Sequence, residues 1–168
     1  FLNVMKQDMD NEIGIGYKIE KSLFDKKISF TQITSSIDSL SYAIAEPDFT
    51  DDKEREIFQQ NLNNIVDTLR NDKEISPEEV SLLYPYSLIY IVGEGMHNTV
   101  GLFSKFSKIL AKNKINIYTT YQVPEQLNVI FGVAQSDSKK AVKELYRALF
   151  INTSNTEFSL EGENILVL

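Results

Sequence analysis

The sequence offers its clearest chemistry in two polar loops that contain closely spaced glycines, Gly14-Ile-Gly16 and Gly93-Glu-Gly95. Each loop leads into a segment with the apolar spacing of a helix, and the amide groups at a helix N-terminus favour an anion. A phosphate-binding loop is excluded, because the third glycine of the GxGxxG pattern is replaced by Ile19 or Asn98 and no Gly-Lys-Ser/Thr follows. The loops therefore predict a site for the carboxylate of a small ligand.

Residues that could perform covalent or metal chemistry are scarce. The sequence has no cysteine, which excludes disulfides, thiolate metal sites and cysteine nucleophiles. His97 is the single histidine, and it has no second histidine or cysteine with which to share a metal. Ser35, Ser36 and Ser39 have no general base at an identifiable spacing. We therefore predict no catalytic residue, metal site or bound cofactor in this chain.

Composition and charge narrow the possible partners. The 17 lysine and arginine residues against 24 aspartate and glutamate residues give a net charge of −7, which argues against a nucleic-acid or anionic-membrane partner. The sequence contains no apolar run of the roughly 20 residues needed for a membrane span, and its N-terminus lacks the basic-then-apolar pattern of a signal peptide. These features predict a cytoplasmic protein. Because the chain begins at Phe1, in a strand-like segment, we also expect a fragment of a longer protein.

The elements that must position the two loops occur twice. Residues 87 positions apart are often identical, as in the pairs Met9 and Met96, Asn11 and Asn98, Gly14 and Gly101, Lys18 and Lys105, Lys21 and Lys108, Leu23 and Leu110, Lys27 and Lys114, and Ile28 and Ile115. This ungapped register indicates an internal repeat. Each copy is predicted to contain a strand, a loop, a helix and two strands, followed by a second helix and a last strand.

Hydrophobic periodicity gives approximate bounds for these elements. In the first copy we predict strands at Leu2–Lys6, Ile28–Thr34, Ser39–Ile44 and around Val80, Leu82 and Tyr84, with helices at Glu12–Lys26 and after Thr50-Asp51-Asp52. In the second copy we predict strands at Leu88–Val92, Ile115–Tyr121, Leu127–Val133, Phe158–Leu160 and Ile165–Leu168, with helices at Thr99–Asn113, capped by Asn98-Thr99, and from Asp137-Ser138. The order βαββαβ is the ferredoxin-like plan, an α+β fold in which an antiparallel sheet carries both helices on one face. The two modules are predicted at residues 1–86 and 87–168, with the C-terminal strands either in the second module or packed back on the first.

Several of these segments resemble the regulatory ACT modules of aspartokinases. In the second copy, Val92-Gly-Glu-Gly-Met96, Asn98-Thr-Val-Gly101, Ile115-Asn-Ile117 and the stretch from Gln122 to Asn128 are similar to the second ACT module of that family. In the first copy, Glu12-Ile-Gly14-Ile-Gly16, Ile28-Ser-Phe30 and Ser35-Ser-Ile-Asp38-Ser are similar to the first ACT module of the monofunctional, lysine-sensitive type. The resemblance covers roughly residues 1–150. The sequence lacks the Lys-Phe-Gly-Gly signature of the family's kinase domain, which binds ATP and Mg²⁺, so the resemblance implies a regulatory fragment of an aspartate kinase.

The resemblance implies feedback inhibition of the first step of the aspartate pathway by L-lysine, with or without L-threonine. In the family, the effector lies where the strand-to-helix loop of one module meets the second strand of a neighbouring module. The corresponding positions are Met9, Asn11, Gly14, Ile15, Gly16, Phe30, Thr31, Ser35 and Ser36 in the first module and Met96, Asn98, Gly101, Leu102 and Gln122 in the second. The backbone amides of Ile15 and Gly16 are expected to hold the effector carboxylate. Side-chain oxygens of Asn11 and of the second strand are expected to accept hydrogen bonds from its ammonium groups.

Two departures from the family pattern bear on these expectations. Thr31 stands where family members often carry an aspartate, so one charge that would recognise the lysine cation is missing. Pro124 follows Gln122 and removes a backbone donor, so the second module either binds an effector or serves only as an interface.

Side-by-side pairing of modules from two chains, as in the family, implies a homodimer. Two alternatives stay open, an ACT-type amino-acid sensor of another enzyme and a module that dimerises without ligand.

Overall fold

The computed structural model describes residues 1–83, 86–93, 99–122, 128–151 and 164–167. The chain divides into two compact units, Phe1–Tyr84 and Pro85–Leu168. Each unit has a hydrophobic core of its own. The predicted strand at Phe158–Leu160 lies outside the described residues, and so do Tyr84, Leu127 and Leu168 of other predicted strands.

The first unit is a four-stranded sheet with two helices. Its strands are β1 (Leu2–Met5), β2 (Gln32–Ser35), β3 (Ser39–Ala43) and β4 (Glu79–Leu82), and its helices are α1 (Ile15–Asp25) and α2 (Asp52–Arg70). The strands lie in the order β2-β3-β1-β4, and all neighbours are antiparallel. This order is the ferredoxin-like one and confirms the predicted fold class.

Both helices of the first unit pack on the same face of the sheet. Their apolar residues recur at helical spacing, and those that are buried are Ile15, Ile19 and Leu23 in α1 and Leu62, Ile65, Val66 and Leu69 in α2. These side chains form one cluster with sheet residues that include Leu2, Val4, Tyr42 and Val80. The predicted start of α2 is confirmed, because the Asp51 carboxylate accepts a hydrogen bond of 2.8 Å from the Glu54 amide and caps the helix.

The second unit repeats this arrangement. Its elements are β5 (Tyr86–Val92), α3 (Leu102–Lys112), β6 (Thr119–Tyr121), β7 (Asn128–Ala134), α4 (Ser138–Tyr146) and β8 (Asn164–Val167). The strand order is β6-β7-β5-β8, and β8 pairs with β5. The core joins Ile89, Phe106, Phe131 and Leu145 with their neighbours. Across the described part of the chain, no helix combines the length and the apolar character needed to cross a bilayer.

The first helix of each unit begins and ends differently from the prediction. Gly14 and Gly101 are the N-terminal caps, with φ of 94° and 80°, so α1 and α3 start about three residues later than expected and the predicted Asn98-Thr99 cap was wrong. At the other end, Lys27 and Lys114 adopt φ of 55° and 59°.

The residues that follow these two lysines close the helices. The amides of Ile28 and Ile115 donate to the carbonyls of Leu23 and Leu110, both at 3.0 Å, which is the hydrogen bond of a Schellman motif. Because the two isoleucines end a helix in this way, β2 and β6 begin later, at Gln32 and Thr119, and the predicted strand starts were wrong.

Candidate functional site

The N-terminal turn of α1 presents unpaired backbone amides next to Gly14. The Lys18 amide bonds the Gly14 carbonyl at 3.2 Å and is the first to bond four residues back. The preceding amides of Ile15, Gly16 and Tyr17 therefore point out of the helix end. None of the described side chains caps this end, and the first turn contains no acidic residue. The turn can therefore accept a carboxylate without competition from a side chain of its own.

The loop before α1 is held against the turn between β2 and β3. The Asp8 amide donates to the Asp38 carboxylate at 2.9 Å, and the Asp10 amide donates to the Ile37 carbonyl at 3.2 Å. The Met9 side chain is 4% exposed and anchors the loop in the core. Of the predicted loop residues, Asn11 and Gly14 are exposed and Ile15 is buried. The structure thus fixes the position of the loop from two sides.

The predicted second-strand residues lie at both ends of β2. At its start, the Thr31 amide donates to the Ala43 carbonyl at 2.8 Å, and the Thr31 hydroxyl lies 3.3 Å from the same oxygen. At its end, Ser35 and Ser36 are exposed, and the Ser36 and Ser39 hydroxyls are 2.9 Å apart. The structure therefore separates Thr31 from the two serines by the length of the strand.

Tyr42 connects the two halves of the predicted site and was missed by the sequence interpretation. It is fully buried, and its hydroxyl lies 3.5 Å from the Gly16 carbonyl and 3.5 Å from the Glu20 carboxylate. Its ring meets that of Phe30 edge-on, with centroids 5.2 Å apart. Burial, and then the neighbouring Glu20, raise the pKa of the Tyr42 phenol. The sequence pattern marks it only as an inward position of a strand, and the equivalent position of the second unit holds Phe131, opposite Ile89 as Tyr42 is opposite Leu2.

In the second unit, only part of the predicted site is described. Met96 and Asn98 lie outside the described residues, Leu102 is buried and Gln122 is exposed. Gly101 has the same role as Gly14, and the Lys105 amide bonds its carbonyl at 3.0 Å.

Two buried polar atoms lie beside this second site. The Tyr121 hydroxyl and the Asn128 side-chain oxygen are buried and have no hydrogen-bond partner among the described residues. They flank residues 123–127, which are outside the description. The described part of the second unit therefore contains a helix start like that of α1, but a different set of polar groups.

Two other features of the described residues are separate from the predicted site. A cleft of about 340 Å³ in the first unit lies between the end of α1 and the start of α2, and Lys27, Phe49 and Phe58 help to line it. None of the predicted effector residues lines this cleft. The described residues contain no group of three histidine, cysteine, aspartate or glutamate side chains that could hold a metal ion.

Comparison with known proteins relates this arrangement to one family. The ACT-domain family matches residues 89–149. Aspartokinase 3 of Bacillus subtilis is 25% identical over 147 residues, which cover 88% of this chain and 30% of the relative. The crystal structure of Clostridium acetobutylicum aspartate kinase is 28% identical, with a TM-score of 0.76, over 88% of this chain and 31% of that one. The chain is therefore similar to the ACT-domain regulatory regions of aspartokinases.

The chain spans about a third of the length of the relatives that it matches, 30% of the Bacillus protein and 31% of the Clostridium one. E. coli aspartokinase III, solved in complex with lysine and aspartate, is 18% identical, with a TM-score of 0.63, over 89% of this chain and 31% of that one. At this identity the likeness concerns the fold alone. The two βαββαβ units are thus the arrangement that these aspartokinase structures share with this chain.

Proposed function

We propose that this chain is the regulatory region of an aspartate kinase and binds an end-product amino acid, L-lysine first and L-threonine second. Binding inhibits the ATP-dependent phosphorylation of aspartate, with ATP and Mg²⁺ held by a kinase domain rather than by this chain. The observation that carries the proposal is the N-terminal turn of α1, which follows Gly14 and has no side-chain cap, in a chain similar to the ACT modules of aspartokinases. The proposed setting is the cytoplasm, where amino acids are synthesised.

The proposed site has two chemically distinct sides. The amides of Ile15 and Gly16 hold the carboxylate of the effector, because they lie at the positive end of the α1 dipole. Oxygens of Asn11, Thr31 and the serines that follow β2 accept from its ammonium groups. E. coli aspartokinase III was solved with lysine, and this supports L-lysine as the first effector to test.

Inhibition requires linkage between the site and the kinase active site. An effector can favour the inactive state only by binding it more tightly than the active state, and such couplings are typically about 1–3 kcal/mol. The loop before α1 is bonded to the turn between β2 and β3, so a change at the helix start also reaches this turn. This connection is a physical route by which effector binding could change the arrangement of the first unit.

Assembly into a homodimer is part of the proposal. Tyr17 and Phe24 on the outer side of α1 are 69% and 78% exposed, although both are large and apolar over most of their surface. Their counterparts 87 positions later are Ser104 and Ala111. Exposed apolar side chains grouped on one helix face favour contact with a partner, and we assign this face to a second copy of the chain.

A thermal-unfolding titration of the chain tests the proposed function. L-lysine, L-threonine, both together and L-methionine as a control are added in turn, and an effector at 100 times its Kd is expected to stabilise the protein by about 2.7 kcal/mol. L-lysine should raise the midpoint and L-methionine should not. Absence of a shift with every amino acid would contradict effector binding and favour the ligand-independent dimerisation module.

Two matched glycine variants locate the site. Gly14→Ala and Gly101→Ala place a Cβ at equivalent positive-φ positions, so both should lower stability by about 1–2 kcal/mol. Only Gly14→Ala is expected to weaken L-lysine binding measured by calorimetry, because it distorts the turn that holds the carboxylate. An equal loss of affinity in both variants would contradict the assignment to the first unit.

A further inference from the structure

The hydroxyl of Tyr42 is the one polar group of a side chain that is otherwise part of the core. The residue is fully buried among apolar neighbours. Among the described residues, its hydroxyl has acceptors only in the first two turns of α1, the Gly16 carbonyl and the Glu20 carboxylate, each at 3.5 Å. A buried hydroxyl without a partner is destabilising, so Tyr42 favours conformations in which the start of α1 stays over β3.

The same side chain also contacts the start of the second strand. The Phe30 ring lies edge-on to the Tyr42 ring, with an interplanar angle of 81° and a centroid distance of 5.2 Å. Phe30 is half-buried and packs against the core. Tyr42 therefore contacts Gly16 on the helix side of the proposed effector site and Phe30 on its strand side.

The second unit fills the equivalent space differently. Gly16 corresponds to Phe103 in the repeat. Tyr42 corresponds to Phe131, because Tyr42 lies opposite Leu2 and Phe131 lies opposite Ile89, the residue 87 positions after Leu2. A Cβ at Gly16 would lie 3.8 Å from the Tyr42 hydroxyl, so a side chain as large as phenylalanine would meet this hydroxyl. In the second unit, Phe103 packs on Phe131 with centroids 5.3 Å apart. The glycine and the tyrosine thus belong together and bring a hydroxyl under the first helix of the first unit only.

We infer that Tyr42 is a positioning residue for effector binding in the first unit, an inference that rests on the proposed function. Its hydroxyl holds the first turn of α1 at the height over β3 at which the amides of Ile15 and Gly16 face the effector carboxylate. Its ring keeps Phe30 in place at the start of the strand side. Tyr42 does not touch the effector itself.

The test compares Tyr42→Phe with wild type in the complete 168-residue chain. This variant keeps the ring and its contact with Phe30 and removes only the hydroxyl. Calorimetric titration with L-lysine is expected to give a Kd about 2- to 10-fold weaker than wild type, the range that one lost hydrogen bond produces. The matched control is Tyr90→Phe, which removes a hydroxyl from β5 and should leave the Kd unchanged.

A second measurement separates positioning from simple stabilisation. In the ligand-free chain, amide chemical shifts of Ile15, Gly16 and Phe30 should change in Tyr42→Phe and stay as in wild type in Tyr90→Phe. The inference is overturned by an unchanged Kd in Tyr42→Phe, or by a weaker Kd without any change in the shifts of these amides. In either case, binding of L-lysine by the wild-type chain still supports the proposed function. A wild-type chain that binds no amino acid overturns both.

Discussion

The first helices of the two units share a backbone but differ in the side chains around their first turn. Gly14 and Gly101 both cap a helix with positive φ. Beneath this turn, the first unit has Tyr42 and the second has Phe131, which lacks the hydroxyl, at the equivalent position of the sheet. The repeated glycine is therefore explained by the fold alone, since both units need the same turn. The tyrosine is the feature that distinguishes a proposed effector site from a structural copy of it.

The outer sides of these helices differ as well. The first unit exposes Tyr17 and Phe24, where the second has Ser104 and Ala111. Both differences place the features expected of regulation and assembly in the first unit. The second unit keeps the fold with fewer of them.

The largest effects are expected from the two separate cores. Phe106 and its counterpart Ile19 are both fully buried, and replacing them by alanine should destabilise the protein by about 3–5 and 2–5 kcal/mol respectively, because each leaves a cavity. Hydrogen exchange of backbone amides should show lost protection in the second unit for Phe106→Ala and in the first unit for Ile19→Ala. Equal loss in both units from either variant would contradict cores that stabilise their units separately.

The next effect concerns assembly. Replacing Tyr17 and Phe24 together by glutamate should weaken self-association about 100-fold or more, since burial of each side chain contributes about 1.5–3 kcal/mol. The matched control replaces Ser104 and Ala111 by glutamate and should associate as wild type does. Sedimentation equilibrium measures both. A wild-type monomer, or equal weakening in the control, would contradict an interface on α1.

A smaller effect distinguishes the two units by pH. Burial, and then the neighbouring Glu20, raise the pKa of Tyr42 above that of an ordinary tyrosine, so folding favours the neutral phenol. This contribution is fully present below about pH 10 and is lost as the pH rises from there towards the folded-state pKa, by at most about 1.4 kcal/mol per pH unit. Urea unfolding between about pH 8 and pH 11 should show this loss in wild type and in Tyr90→Phe, but not in Tyr42→Phe. The same pH dependence of stability in all three proteins would contradict this contribution of the Tyr42 phenol.

The sequence was sufficient to predict the repeat, the ferredoxin-like plan and the buried faces of the helices, because hydrophobic periodicity reflects burial directly. It failed at the helix ends. Ile28 and Ile115 are buried and β-branched, so they look like the first residues of a strand, but their amides close the preceding helix instead. Asn98 and Thr99 are residue types that often cap helices, whereas the pattern of residue types does not show that a glycine adopts a positive φ.

The candidate site was predictable only for residues close together in the chain. The loop and the start of α1 are local features, and the glycine pattern indicates them. Tyr42 is distant in sequence from Gly16 and occupies an ordinary inward position of a strand. Only three-dimensional packing shows that its hydroxyl lies under the helix.

The smallest expected effect concerns the helix ends that the two units share. Lys27 and Lys114 adopt positive φ, which costs a residue other than glycine roughly 1–2 kcal/mol, while glycine loses about 0.5–1 kcal/mol more entropy on folding. Lys27→Gly and Lys114→Gly should therefore each stabilise the protein by about 0.5–1 kcal/mol in thermal or urea unfolding. Lys26→Gly is the control, because Lys26 has a φ of −96° and gains nothing from glycine, so this variant should destabilise. Stabilisation of only one unit would mean that the repeated turn has a role beyond closing the helix, and would extend the asymmetry between the units to the backbone itself.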